Sequence, residues 1–335
     1  MSAKSSGRTE SAITLQSNLF VAAHMSLAVA LGERLADLIA EPDAFITVLE
    51  QGLGELADPV VVIGIHSVTP GLGKVLGVRL PLLEATHKSL RKATKKTPSS
   101  LVLDVTGRLL DHEAADVRWF GMWNLERLLA TDPEPTWPLM RRAAAAAGEW
   151  ISVDTLAHPY AAGILLDGLR WGELERLVYS PSRWERRLVG STMATMPHVR
   201  YAGSRDRTVA ERGLRLIGQL IGDAEPDVQK ALSWALRSLA PIDTVAVVTF
   251  VESEADKARA TDDGHRAWVL RHSLPKLPND GQKKLKACLQ GIRRRPGAPS
   301  TSLAAATAAE LAAATAAELA SADADLRPRP SSREE

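Results

Sequence analysis

Apolar residues recur every three to four positions along most of this chain and nowhere alternate over a sustained run. The pattern therefore predicts helices and no sheet. Clear cases are "PLLEATHKSLRKATKK", "EAADVRWFGMWNLERLLA", "DRTVAERGLRLIGQLIG" and "DVQKALSWALRSLAP", each bounded by Pro, Gly or capping signals. About a dozen such segments follow one another with short links and one apolar side each, as helices do when they pair and stack into a solenoid or curved bundle. No fixed repeat period is visible, which favours an irregular all-α solenoid over a consensus one.

Three stretches depart from the pattern. "LFVAAHMSLAVALG" (19–32) is read as a first helix rather than a signal peptide, because His24 breaks the apolar run and the pattern continues into "GERLADLIAE"; by itself it is too short to span a bilayer. "ADPVVVIGIHSVTPGLGKVLG" (57–77) begins like a strand leading into a phosphate loop, but Val68 and Val75 stand where a Walker loop needs Gly and Ser or Thr. Leu76 likewise breaks the dinucleotide fingerprint. It is read as a mobile link. Beyond "GIRRRPGAPSTS" the chain turns low-complexity, with "LAAATAAE" twice in tandem. The domain expectation is a disordered leader over 1–16, one helical domain over 17–295 and a dispensable, disordered Ala-rich tail over 296–335.

Composition adds one anomaly: eight Trp against four Phe and three Tyr, in a chain of net charge +1. The single cysteine, Cys288, excludes an intramolecular disulfide and is read as a buried small residue. The eight histidines are scattered without the three- or four-residue spacing of metal ligands, so no metal site is expected.

Tryptophan beside charge recurs in three segments. In "EWISVDTLAHPY", Trp150 and Asp154 lie one turn apart on a helix face; the pair suits stabilising a developing positive charge and holding a water, or is a core Trp beside a dipole-favoured acid. In "SPSRWERRLVGS", Ser182 and Glu185 have capping-box spacing, and Arg183, Arg186 and Arg187 crowd Trp184 at a helix start, where cations are disfavoured unless an external anion is met. A solvated basic face is the plainer reading. In "DVQKALSWALRSLAP", Val228, Ala231, Leu232, Ala235 and Leu239 form the apolar stripe, and Trp234 stands outside it beside Lys230 and Arg237. That arrangement is either a half-buried Trp under cationic stems or a nucleic-acid contact.

The order of these segments resembles the AlkD type of DNA alkylation repair glycosylase, a HEAT-like repeat family. "GVRLPLLEATHKSL" and "HEAADVRWFGMWNLERLL" resemble its early segments, and "WISVDTLA", "SRWERRLV" and "KALSWALRSLAP" its three later signatures. The resemblance covers roughly residues 34–275. It implies a HEAT-like solenoid with a concave DNA-binding groove, Trp150 and Trp234 flanking the lesion nucleotide, Asp154 as catalytic carboxylate and Arg187 on the DNA backbone. Trp184, Arg183, Arg186, Lys230 and Arg237 are added as DNA-facing residues on the charge pattern above.

The expectation is a monomeric, cofactor-free, monofunctional N-glycosylase acting in the cytoplasm, at the nucleoid. Its partner is double-stranded DNA carrying cationic purines alkylated at N3 or N7, with the base left unflipped and neither membrane nor metal involved. A non-catalytic HEAT-like protein for branched or distorted DNA is the alternative; it needs the basic face but not Asp154. A protein-binding solenoid comes third.

Overall fold

The structure, a computed structural model, describes the backbone of residues 4–326 and the side chains of residues 14–311 and 313–315. The outermost residues of the expected leader and tail lie outside the described residues. Among those described there is no strand, only isolated bridges between Ala57 and Val78 and between Lys74 and Ala114. The all-α expectation holds. The helices gather into two compact units, Met1–Leu166 and Asp167–Glu335, inside what the sequence reads as one domain.

The first unit contains α1 (Lys4–Asp37), α2 (Pro42–Glu55), α3 (Pro59–Val68), α4 (Leu80–Ala93), α5 (Ser99–Leu110), α6 (Ala115–Thr131), α7 (Pro133–Ala146) and α8 (Trp150–Leu166). Helix α1 packs along α4, α2 on α5, α5 on α6, and both α6 and α7 on α8. The core is built from large apolar side chains such as Leu35, Phe45, Leu49, Leu82, Leu109, Phe120 and Trp137, all fully buried. At the α1–α4 crossing only glycine fits: a Cβ at Gly32 would stand 2.3 Å from the Thr86 carbonyl oxygen.

Four expectations change here. The leader is helical from Lys4, where a structureless segment was expected. The apolar stretch of α1 runs over Thr14–Asp37, long and apolar enough to cross a membrane by length and composition, where the sequence fragment looked too short. Ala28, Leu31 and Leu35 on this helix are buried, while Leu15, Leu19 and Leu27 are exposed. Helix α2 went unnoticed in the sequence, although Phe45, Leu49, Gly52 and Leu53 keep a helical period. The strand-like "PVVVIGIHSV" is α3: Asp58 caps it by accepting from the Val60 N–H, and Pro59 starts it.

Nor is the glycine-rich link loose. Asp116 accepts from the N–H groups of Leu76 and Val78 at 2.8 and 3.1 Å, and Lys74 bridges Glu50 and Glu113. Beside it, Arg79 pairs with the Asp58 cap.

The second unit contains α9 (Trp171–Leu177), α10 (Arg183–Thr195), α11 (Arg207–Leu220), α12 (Pro226–Leu239), α13 (Thr244–Thr261), α14 (Gly264–Ser273), α15 (Asn279–Cys288) and α16 (Leu303–Leu326). Successive pairs α9–α10, α11–α12 and α13–α14 stack so that α10, α12 and α14 lie side by side, while α13 sits between α11 and α15. This is the packing of a helical repeat.

The start of the predicted dispensable tail is part of this unit. The Thr301 N–H donates to the Gly222 carbonyl at 2.9 Å, the Thr301 hydroxyl donates to Asp263, and Ala304 is buried as α16 meets α11. Gly222 has φ +100° and a Cβ there would strike Thr301, so this docking needs glycine twice over. Cys288 is only half-buried, its thiol directed at Asp256, which corrects its reading as a buried small residue.

Candidate functional site

Trp150 is the first residue of α8, and Asp154 follows one turn later on the same helix. The helix start is fixed by a residue that sequence reasoning passed over. The Glu149 carboxylate accepts from the N–H groups of Ile151 and Ser152 at 2.5 and 2.8 Å and is itself buried. Arg118 faces Glu149 and Asp116; burial lowers its pKa, and the two acids oppose that shift. An acid immediately before the apolar run was the available signal for this cap.

The Trp150 indole N–H donates to the Val68 carbonyl at the end of α3, at 3.3 Å, which sets the ring's direction while leaving it 37% exposed. Asp154 is half-buried. An exposed indole and a carboxylate thus stand one turn apart on a capped helix. Nothing in the sequence connects Val68 with Trp150, because that contact exists only between distant helices.

In the second unit the candidate residues lie on α10 and α12, which cross closely: a Cβ at Gly190 would meet Ala231 Cβ at 2.8 Å. The stripe predicted for α12 is buried as expected, with Trp234 half-buried beside it. Asp227, Lys230 and Trp234 follow one another along one side of the helix, Lys230 being 3.7 Å from Asp227 and well exposed. Arg187 is 5% exposed, and its Nη1 donates to the Asp227 carbonyl at 2.7 Å, tying the first turn of α12 to α10.

The cations of this face divide by what they touch. Arg183 is exposed, stacked 4.8 Å over the Trp184 ring and 3.5 Å from Glu225. Arg186 instead grips Asp223 at 2.7 Å and donates to the Ser180 and Pro181 carbonyls. Arg237 donates to the His272 carbonyl at 2.6 Å, and burial lowers its pKa. Arg186 and Arg237 therefore bind protein groups, whereas Arg183 and Lys230 extend to solvent. The Ser182 and Glu185 capping box does not form: Ser182 makes no side-chain cap, and the Ser180 hydroxyl bridges Glu185 and the Ser182 N–H. Among the described residues no group of three His, Cys, Asp or Glu side chains gathers to hold a metal.

These features define an all-α repeat protein carrying an indole–carboxylate pair on one unit and a Trp face with basic neighbours on the other. A comparison with family models matches residues 49–274 to the DNA alkylation repair enzyme family, and the chain belongs to it. The matched stretch includes α8, α10 and α12 with all the candidate residues above. No curated protein matches the chain. The protein is thus an enzyme family member of DNA alkylation repair, with DNA as the partner its family indicates.

Proposed function

We propose that the chain is a monofunctional DNA N-glycosylase that hydrolyses the bond between deoxyribose and a purine alkylated at N3 or N7. The observation that carries this reading is the Trp150–Asp154 pair: an exposed ring held by the Val68 carbonyl, with a carboxylate one turn along a capped helix. A purine alkylated at N3 or N7 is already cationic and leaves with the bonding electron pair. The positive charge then falls on the sugar. The Asp154 carboxylate stabilises that charge and orients a water, whose oxygen bonds to C1′ as its proton is released, giving free base and an abasic site.

Trp150 and Trp234 supply ring contacts to the damaged nucleotide, Lys230, Arg183 and Trp184 contact the DNA backbone directly, and Arg186, Arg187 and Arg237 hold the elements that present them. In this reading the base stays unflipped, the chain works as a monomer on double-stranded DNA at the nucleoid, and the reaction needs no cofactor.

The test is release of free base from methylated duplex DNA by the wild type and by Asp154→Asn, resolving 3-methyladenine from 7-methylguanine. Release by the wild type, with at least a hundredfold loss in the variant, is expected of a positioned charge-stabilising group. Undiminished release by the variant would refute the mechanism. Duplex binding without release by either protein would favour the non-catalytic DNA binder.

A further inference from the structure

The segment from Gly264 to Arg295 holds nine Lys and Arg against one acid, Asp280, in a chain whose total charge is only +1. Three of the nine are neutralised or covered within the fold. Arg266 pairs with Glu254 and Asp263, Arg295 pairs with Asp262, and Arg294 stacks 4.9 Å over Trp268 while donating to Gln229. Three others, Arg271, Lys286 and Arg293, converge on one cleft of about 410 Å³, between the end of α14 and the turn after α15.

Leu274, Leu289 and Ile292 form the apolar part of the cleft, and no carboxylate lines it. Arg271 is held by donating to the Leu289 and Ile292 carbonyls, so its charge has a fixed place at the wall. Burial lowers its pKa, and the neighbouring Arg293 lowers it further. Like charges brought together around a concavity without a counter-charge raise the energy of the free protein, and an anion entering between them relieves it.

We propose that this cleft is a phosphate-binding site for the backbone of duplex DNA, lengthening the protein's grip on DNA beyond the part of the chain its family shares. The family match ends at residue 274, so Lys286, Arg293 and all of α15 lie past it. Continuity favours DNA over another polyanion. Arg237 of α12, the helix that carries Trp234 and Lys230, donates to the carbonyl of His272, the residue next to Arg271. The cleft thus adjoins the face assigned to DNA above. The inference rests on the reading that this face meets duplex DNA, and it does not depend on Asp154 or on base release.

The test uses the full chain and undamaged duplex, with affinity measured over a range of salt concentrations. Lys286→Gln/Arg293→Gln removes two exposed cations that the proposal places against phosphates. Its log–log salt slope should fall by about 2 and its affinity by about tenfold or more at ordinary ionic strength. Arg295→Gln, in the same arginine run but paired with Asp262, should leave both unchanged. A double variant that keeps the wild-type slope and affinity would overturn the proposal.

So would a loss confined to anionic phospholipid vesicles, which would mark a membrane surface. Binding of inorganic phosphate that the variant loses while its DNA slope stays the same would mark a free-phosphate site, and would also overturn it. Base release separates this inference from the glycosylase reading. A wild type with a steep slope that the double variant loses, yet with no release from methylated DNA, would refute only the enzyme.

Discussion

The α10–α12 crossing offers a perturbation whose size is worked out from distances. At Gly190 an added methyl carbon would lie 2.8 Å from Ala231 Cβ, 2.9 Å from the Ala231 carbonyl carbon and 3.0 Å from Leu232 N. Carbon contacts are comfortable near about 3.5–4.0 Å, so Gly190→Ala must separate the helices by roughly 0.7 Å locally. Two of the three atoms met are backbone, and no rotamer change relieves them. Overpacking of this kind costs about 1–3 kcal/mol, whereas replacing a mid-helix glycine by alanine returns up to about 1 kcal/mol. The overpacking term is expected to win, leaving a net destabilisation of about 1–2 kcal/mol.

Urea unfolding monitored by tryptophan fluorescence would read this as a lower midpoint at unchanged slope. The same shift strains the Arg187 bond to the Asp227 carbonyl, one turn away on each helix, so duplex affinity should fall as well. A Gly190→Ala protein as stable as the wild type, or more so, would show that the crossing is not as close as described and would refute the reasoning.

Further tests concern acid stability and the tail. His87 sits against Phe120 and Trp123, with Nε2 3.0 Å from the Asn124 amide oxygen. Burial pushes its pKa down to about 4; the Asn124 bond opposes this and the nearby Arg91 and Arg127 reinforce it. The unfolded chain takes up this proton near pH 6.5 and the folded chain only near 4. Stability from this residue is therefore complete above about pH 6.5 and declines between there and about pH 4, by up to roughly 3 kcal/mol. His87→Gln should flatten that part of the urea-midpoint profile against pH, and an unaltered profile would exclude His87 as the cause.

Truncation after Arg295 removes the Thr301 bonds to Gly222 and Asp263, the His265 contact with the Ala298 carbonyl and the burial of Ala304. At about 1 kcal/mol per hydrogen bond, a loss on the order of 2–3 kcal/mol is expected in thermal or urea unfolding. Truncation after Glu310, which spares all of these contacts, should change nothing measurable. Equal stability of the two truncated chains would return the whole tail to the dispensable class.

Much of the protein was legible from local order along the chain. A helical apolar period identifies α4, α11 and α12 without tertiary help, because a helix that buries one side must repeat its apolar residues at the helix's own pitch. The same pitch sets Trp234 off the buried stripe of α12 and brings Trp150 and Asp154 onto one face. Helix α3 escaped because a short apolar run has no polar positions to display a period. The Asp58 cap and Pro59 were the legible signals there, and the periodicity was not.

Tertiary structure alone decided which charges are available. Arg183, Arg186 and Arg187 are near-equivalent in sequence, yet one reaches solvent, one grips Asp223 and one is buried against the Asp227 carbonyl. Arg293, Arg294 and Arg295 separate in the same way, into a cleft, an indole ring and an aspartate. Periodicity is a property of one helix and is written along it, so the sequence by itself determined the all-α class and the buried faces of helices such as α4, α11 and α12. A charge's partner comes from another helix through long-range packing, and a local pattern does not encode it.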